Sequence, residues 1–405
     1  MGVVDLGRDG DTAAKAVKDA GLQIGSVDLA EWQGLISADA MKRKDAVAKN
    51  AAYVEACAAH GVRNHFLVML PEDASSGVAV AVRIDGKTEF FNFGTADRAK
   101  NRPVTADSVF NLASVGKIFA TTLLAQAVKR GELGLDDPVA KYITKLQQGG
   151  DIRRVTLGQL ASHTSGLPRV PEQYERWHKG KYTFPDFVRF LNSWKADDQH
   201  QPGQQYLYSN AAMVLLRVAL ERRFQLPFAT LMARRLTGPL GMSSTALPLP
   251  PALLGRAVQG YGPRGRPIGR PGDEEGVFAW TGAGQIYSSA RDMATFLAAN
   301  LDELPDHQPI EAAMALAQQG VFTVNPRFTL GLAWQVMRAG DLTIIDKNGG
   351  LQNTSTYIGF ARQQKLGVVI LSNRGEQDAT KVGRQILHAL AQEMAEPLVE
   401  GAEPD

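Results

Sequence analysis

Ser114 and Lys117 stand three residues apart in the run FNLASVGKIF, residues 110–119. In a helical context that spacing puts both side chains on one face, a turn apart. A serine hydroxyl is a weak nucleophile until a base takes its proton. A lysine amine serves as that base only where burial or other cations lower its pKa. The pair is therefore either a nucleophile with its activating amine or the start of an ordinary helix, because S-x-x-K arises about once by chance in a chain of this size. A second group is Tyr208-Ser209-Asn210 in QQYLYSNAAMVLL, between Gln-Pro-Gly and an apolar helical run. A loop-to-helix junction is a common place to display a functional side chain. With two cations nearby to favour its phenolate, a tyrosine there can shuttle protons for Ser114, and Asn210 offers an amide to a substrate carbonyl. A third group is Lys347-Asn348-Gly349-Gly350 in IIDKNGGLQNTSTYIGF. Two glycines after a strand lysine let another backbone come close, so the Gly350 and Ser114 N–H groups can face one oxyanion. Taken singly, the last two groups also read as a packed tyrosine and a tight turn.

These residues need elements to bring them together. GVAVAVRIDGKTEFFNFG alternates around Asp85-Gly86, a two-residue hairpin signal. NLASVGKIFATTLLAQAVKRGEL has helical apolar spacing, with Gly131 as its stop. Residues 146–270 are mostly helical patterns broken by Pro/Gly loops, and from about 280 strands return in GLAWQVM, LTIID, TSTYIGFA and LGVVILSN before a last helix, DATKVGRQILHALAQEM. Strands at both ends and helices between them predict an α/β (α+β) fold: one antiparallel sheet built from distant segments, flanked by helices, with a mostly helical subdomain beside it. Residues 1–73 read as a separate α/β extension, strand–helix–strand from LQIGSVDLA through NHFLVML. That extension loosely resembles a fragment of a sugar-phosphate isomerase/epimerase barrel and is too short to close one. The division expected is 1–73 and 74–405, the latter with a sheet part at 74–145 and 271–405 and a helical part at 146–270.

Composition narrows the partners. With 44 Lys and Arg against 42 Asp and Glu, the net charge of +2 gives no reason to expect nucleic acid. No run approaches the 18 or so apolar residues of a membrane span. Seven histidines and the single Cys57 show no metal-ligand spacing and allow no internal disulfide, so neither a metal nor a cofactor is expected. The first residues, MGVVDLGRDGDTAAKAVKDAG, lack the basic and apolar regions of a secretory signal. The sequence carries no signal for an oligomeric state.

The three groups gain weight from their order and context. From about Gly77 to Leu390 the chain resembles the serine β-lactamase/penicillin-binding superfamily, most closely class C (AmpC-type) β-lactamases. VTLGQLASHTSGLP, PGQQYLYSN, PLGMSST, GAGQIYSSARDMATFL and LGVVILSNR carry the resemblance alongside the three motifs. It implies Ser114 as the acylated nucleophile, Lys117 as its activator, and Tyr208 as the general base and acid that also activates the deacylating water. It implies that Asn210 contacts the substrate amide and that Lys347 helps bind a substrate carboxylate and keep Tyr208 ionised. The Ser114 and Gly350 N–H groups would supply the oxyanion hole, and Asn373 in LSNRG would lie near the substrate carboxylate. It implies a small-molecule substrate and a periplasmic site, whereas the visible N-terminus, if native, implies the cytoplasm.

The chain departs from the family where class C enzymes read K-T-G. Asn348 replaces the threonine whose hydroxyl lies near the substrate carboxylate, which puts β-lactam affinity in doubt but not acyl transfer. Family VIII carboxylesterases share S-x-x-K and Y-x-N but often lack the third-motif lysine, so Lys347 points toward β-lactam or peptide-like substrates. The class A S-D-N signature is absent, and Ala113 breaks the G-x-S-x-G of α/β-hydrolases. His163 in ASHTSGLP reads as part of a structural loop, and Trp280 and Tyr287 read as core or pocket wall. The leading expectation is a β-lactam-hydrolysing serine enzyme. An esterase or D-amino-acid peptidase on the same scaffold is the alternative, and a non-catalytic binder of cell-wall peptide is a reading from another class.

Overall fold

The computed structural model describes residues 76–171, 182–272, 282–375 and 377–395. Of the first 73 residues it describes Ser26–Asp28, Asn64–Phe66 and the helical positions Met41, Lys42, Asp45 and Lys49. The chain divides into two compact units, Met1–Asp73 and Ala74–Asp405. In the first, Ser26–Asp28 runs parallel to Asn64–Phe66, with Val27 opposite His65. Parallel neighbours need a crossover between them, and the helical positions fall within it. Cys57 and Trp280 lie outside the described residues.

Among the described residues, the second unit is built on a nine-stranded sheet. Its order is Phe322–Asn325, Phe328–Leu330, Gln335–Ala339, Leu342–Leu351, Thr354–Ala361, Leu366–Ser372, Gly77–Ile84, Lys87–Asp97 and Arg102–Pro103. Every neighbouring pair is antiparallel. The hairpin at Asp85-Gly86 forms as the sequence predicts, with φ of 44° and 81°. Positive φ at both central residues suits the twist of the flanking strands. The central strands Thr354–Ala361 and Leu366–Ser372 are buried throughout, which explains the apolar run of the second and of the second half of the first: both faces are covered. Ile358, Phe360, Val369 and Leu371 join the main core with Phe296 and Leu297. The alternate side chains, such as Tyr357, face the C-terminal helix Ala379–Ala395, where Gly383 leaves room for the Tyr357 ring.

The helix Lys117–Lys129 is buried from Lys117 to Ala127. Its Phe119 ring stacks on Phe296 at 4.7 Å, a contact worth about 1 kcal/mol beyond area burial. It ends in a Schellman motif: Glu132 N–H donates to the Ala127 carbonyl at 2.8 Å, Gly131 N–H donates to that of Val128 at 3.0 Å, and Gly131 has φ 67°. The helices Leu157–Ala161, Phe184–Ser193, Asn210–Phe224 and Phe228–Met232 follow. The expectation of strands from about 280 needs correction. One short strand, Tyr287–Ser289, does return there and pairs with Val109–Asn111, but two helices, Ala290–Asn300 and Gln308–Gln318, come next, and the nine-stranded sheet resumes only at Phe322. Ser289 caps the first of them by accepting from Asp292 N–H at 3.1 Å, and Pro309 sits in the first turn of the second. Among the described residues, no helix is long and apolar enough to cross a membrane, and no cluster of His, Cys, Asp and Glu is set to hold a metal ion.

Candidate active site

Ser114 lies in a 3₁₀ turn, Ala113–Gly116, that leads into the Lys117–Lys129 helix. In that geometry residues i and i+3 eclipse, so Lys117 falls directly under Ser114. The chain reaches this turn under tension. Ala113 has φ 48°, a left-handed conformation disfavoured for a residue with a Cβ. Its N–H is held by the Asn111 side chain at 2.8 Å. The preceding carbonyls are tied to the sheet: Thr354 Oγ1 donates to Asn111 O at 3.2 Å and Thr356 Oγ1 to Leu112 O at 2.8 Å. Hydroxyls projecting from the Thr354–Ala361 strand thus set where Ser114 sits.

Lys117 is fully buried. Its Nζ donates to Ser114 Oγ at 3.0 Å and to the Ala283 carbonyl. Burial, reinforced by the Arg169 charge, pulls its pKa well below the ordinary lysine value. Tyr208 O–H donates to the same Ser114 Oγ at 2.7 Å. The tyrosine immediately precedes Ser209, which caps the Asn210–Phe224 helix by accepting from Ala212 N–H at 2.9 Å. Lys347 is 2 % exposed and sits on the Leu342–Leu351 strand with its Nζ 5.1 Å from the Tyr208 ring centre. Burial is the main reason its pKa is lowered, against the upward pull of Tyr208 and Asp346. Lys117 Nζ is also 5.1 Å from that ring centre, and the Arg169 guanidinium carbon is 5.6 Å from it. Three basic side chains therefore surround one tyrosine. The nearest carboxylate along the strand, Asp346, is occupied elsewhere by a bidentate pair with Arg384, at 2.6 and 3.1 Å, and by Tyr357 O–H at 3.1 Å.

The structure brings Ser114, Lys117, Tyr208 and Lys347 together from segments far apart in sequence. The Asn210 Oδ1 is buried beside them without a hydrogen-bond partner. Asn348 is half-buried on the strand edge. Gly349 is the close-approach glycine: a Cβ there would stand 2.9 Å from Ser114 N and 2.6 Å from Leu112 O, and would strike Thr356 Oγ1. Gly350 is exposed and open on its side-chain side. Asn373 departs from expectation. It is fully buried; its Oδ1 accepts from Gly77 N–H at 2.7 Å, and its Nδ2 donates to Thr95 O and Gln259 O, each at 3.0 Å. Both amide hydrogens serve the scaffold, so Asn373 is a clasp between strands rather than a ligand for a substrate carboxylate. Tyr287 lies in a small apolar cluster with Val109 and Leu249. Sequence reasoning missed Thr354, Thr356 and Arg169; the T-S-T alternation was the available sign of the first two.

The family model described as Beta-lactamase matches residues 51–392. A beta-lactamase of Pseudomonas fluorescens is 26 % identical over 360 residues, covering 80 % of this chain and 96 % of that protein. A beta-lactamase/D-alanine carboxypeptidase structure from Pseudomonas syringae is 25 % identical, with a TM-score of 0.69, covering 79 % of this chain and 94 % of the other. A D-alanine carboxypeptidase AmpC structure from Burkholderia cenocepacia is 27 % identical, with a TM-score of 0.65, covering 77 % and 93 %.

Proposed function

The chain belongs to the beta-lactamase family and is a hydrolase of that type; from that premise we propose that it works through an acyl-enzyme on Ser114, with a β-lactam ring as the acyl donor. The observation that carries this reading is the double contact at one oxygen: Ser114 Oγ accepts from Lys117 Nζ at 3.0 Å and from Tyr208 O–H at 2.7 Å. Both lie within proton-transfer reach. The depressed pKa of Lys117 keeps its amine uncharged, and so able to take a proton, to lower pH than an exposed lysine.

In this reading Oγ attacks the lactam carbonyl carbon as its proton passes to the Tyr208–Lys117 pair. The N–H groups of Ser114 and Gly350 receive the developing oxyanion. The C–N bond breaks and Tyr208 delivers a proton to the departing nitrogen. A water then gives its proton to Tyr208 and attacks the ester, the Oγ–C bond breaks, and Ser114 recovers its proton. Asn210, with its unpartnered Oδ1, holds the substrate amide. Lys347 and Arg169 attract a substrate carboxylate.

A second reading, cleavage of esters or D-alanyl peptides by the same chemistry, is favoured by Asn348, which replaces a hydroxyl at the carboxylate end. The test is a panel of nitrocefin, p-nitrophenyl esters and D-alanyl peptides on wild type and Ser114→Ala, with intact mass after brief exposure to a penicillin. Nitrocefin turnover and an adduct lost in Ser114→Ala are expected. Fast ester or peptide turnover with no lactam adduct replaces the first reading with the second, and an inert wild type refutes both.

A further inference from the structure

We infer that His163 is a positioning residue for Tyr208, a clamp that holds the tyrosine against Ser114. The inference rests on the reading of Tyr208 as the proton carrier. His163 grips the chain on both sides of that residue. Leu207 N–H donates to the His163 carbonyl at 2.8 Å, and Ser209 N–H donates to His163 Nδ1 at 3.2 Å. Between these two bonds the imidazole packs on the Tyr208 ring, with centroids 4.5 Å apart and planes tilted by 38°. Backbone, ring and ring nitrogen of one residue thus fix three consecutive residues.

A bland core histidine does not account for the rest. His163 has φ 58°, in the left-handed region, which Asn, Asp and His enter more readily than other residues with a Cβ. It is 2 % exposed, and its Nε2 is buried with no partner. Burying an unpaired polar atom opposes folding, and an apolar side chain would fill the same space without that cost. What an apolar side chain cannot supply is the acceptor for Ser209. Because Nδ1 accepts, the ring must be neutral with its proton on Nε2. Burial, then the charges of Lys347 and Lys117, hold its pKa well below the ordinary value and so favour that form. A charged ring would have no acceptor and would release Ser209.

The geometric stake is the 2.7 Å contact from Tyr208 O–H to Ser114 Oγ; a slip of about 1 Å takes it out of hydrogen-bond range and is enough for a ~100-fold loss of rate. Two variants of the full chain separate the components. His163→Phe keeps a ring and removes the acceptor. His163→Asn keeps an acceptor, tolerates the left-handed backbone and removes the ring. Steady-state kinetics are read with nitrocefin and p-nitrophenyl acetate, and rates are scaled to the folded fraction from circular dichroism. The expected order of kcat is wild type, then His163→Asn lower by about three- to tenfold, then His163→Phe lower by roughly 10–100-fold, with KM changed less than threefold. A folded His163→Phe with kcat within twofold of wild type, or a loss confined to KM, overturns the inference. If His163→Phe does not fold, His163→Asn decides: unchanged kcat overturns the clamp, and reduced kcat at constant KM supports it. Wild type that turns over neither of these probes nor a D-alanyl peptide removes the reading of Tyr208 and the clamp with it; if only the peptide is turned over, the same comparison is read on it.

Discussion

Gly349→Ala is a severe test of how Ser114 is placed. The added methyl would lie 2.6 Å from Leu112 O and 2.9 Å from Ser114 N, and would strike Thr356 Oγ1. Two of these three are backbone atoms of the segment that carries Ser114, and the third is the hydroxyl that ties Leu112 to the sheet. Nonbonded contacts settle near 3.5 Å, so the strand edge must retreat by about 1 Å or the Ser114 turn must move by as much. Overpacking of this kind costs about 1–3 kcal/mol of stability. The same displacement parts the Gly350 N–H from the Ser114 N–H, and a misplacement of ~1 Å costs on the order of 100-fold in rate, or about 2.7 kcal/mol of transition-state stabilisation. Gly350→Ala is the matched comparison, because nothing lies within 4 Å of a Cβ there. It keeps the backbone N–H and should stay within about 0.5 kcal/mol of wild type in stability and tenfold in rate. The assay is kcat/KM on whichever probe the wild type turns over, beside urea unfolding of all three proteins. A folded Gly349→Ala within threefold of wild type would show that the close approach at Gly349 does not set the Ser114 geometry.

Two further outcomes follow from groups already placed. Lys117 gives up its proton more readily when folded than when unfolded, so the native state binds fewer protons between the folded and the unfolded pKa. Stability therefore rises with pH across that interval, and the cost of the buried amine is complete below the folded value. Lys117→Met should abolish turnover and raise stability by about 1–3 kcal/mol at pH 7. That gain should shrink as pH approaches 10; thermal melts at a series of pH values showing a pH-independent gain would sink this account. Asn373→Ala leaves the Gly77 N–H and the Thr95 and Gln259 carbonyls without their partner. It should cost about 2–5 kcal/mol in urea unfolding, with KM for any anionic substrate changed less than twofold in the fraction that stays folded; a large KM effect at full stability would return Asn373 to the binding site.

Legibility followed the range of the interaction. The Asp85-Gly86 hairpin and the Gly131 helix stop depend on two or three residues of local geometry and could be read directly. Lys347 and Gly350 stand out in sequence because two glycines just past a strand lysine let another backbone come close. The helices Ala290–Asn300 and Gln308–Gln318 are harder to read: Ser289 with Asp292, and Pro309, mark their starts, but the apolar runs that follow them carry the stronger, strand-like signal. Asn373 could not be judged from sequence, since its three partners lie 278, 114 and 296 residues away. His163 sits in a loop whose texture looked structural; only the packing reveals which tyrosine it touches.

The pairing of Gly77–Ile84 with Leu366–Ser372 joins residues nearly 300 positions apart, with Ala81 opposite Val369. During synthesis the first hairpin must therefore wait, one edge bare, until Leu366–Ser372 has left the ribosome. Non-local pairing of this kind makes for slow assembly, and a waiting apolar edge invites the wrong partner. The cell's chaperones, and the rate at which the Leu366–Ser372 strand emerges, would then govern the yield of active molecules alongside the stability of the finished sheet.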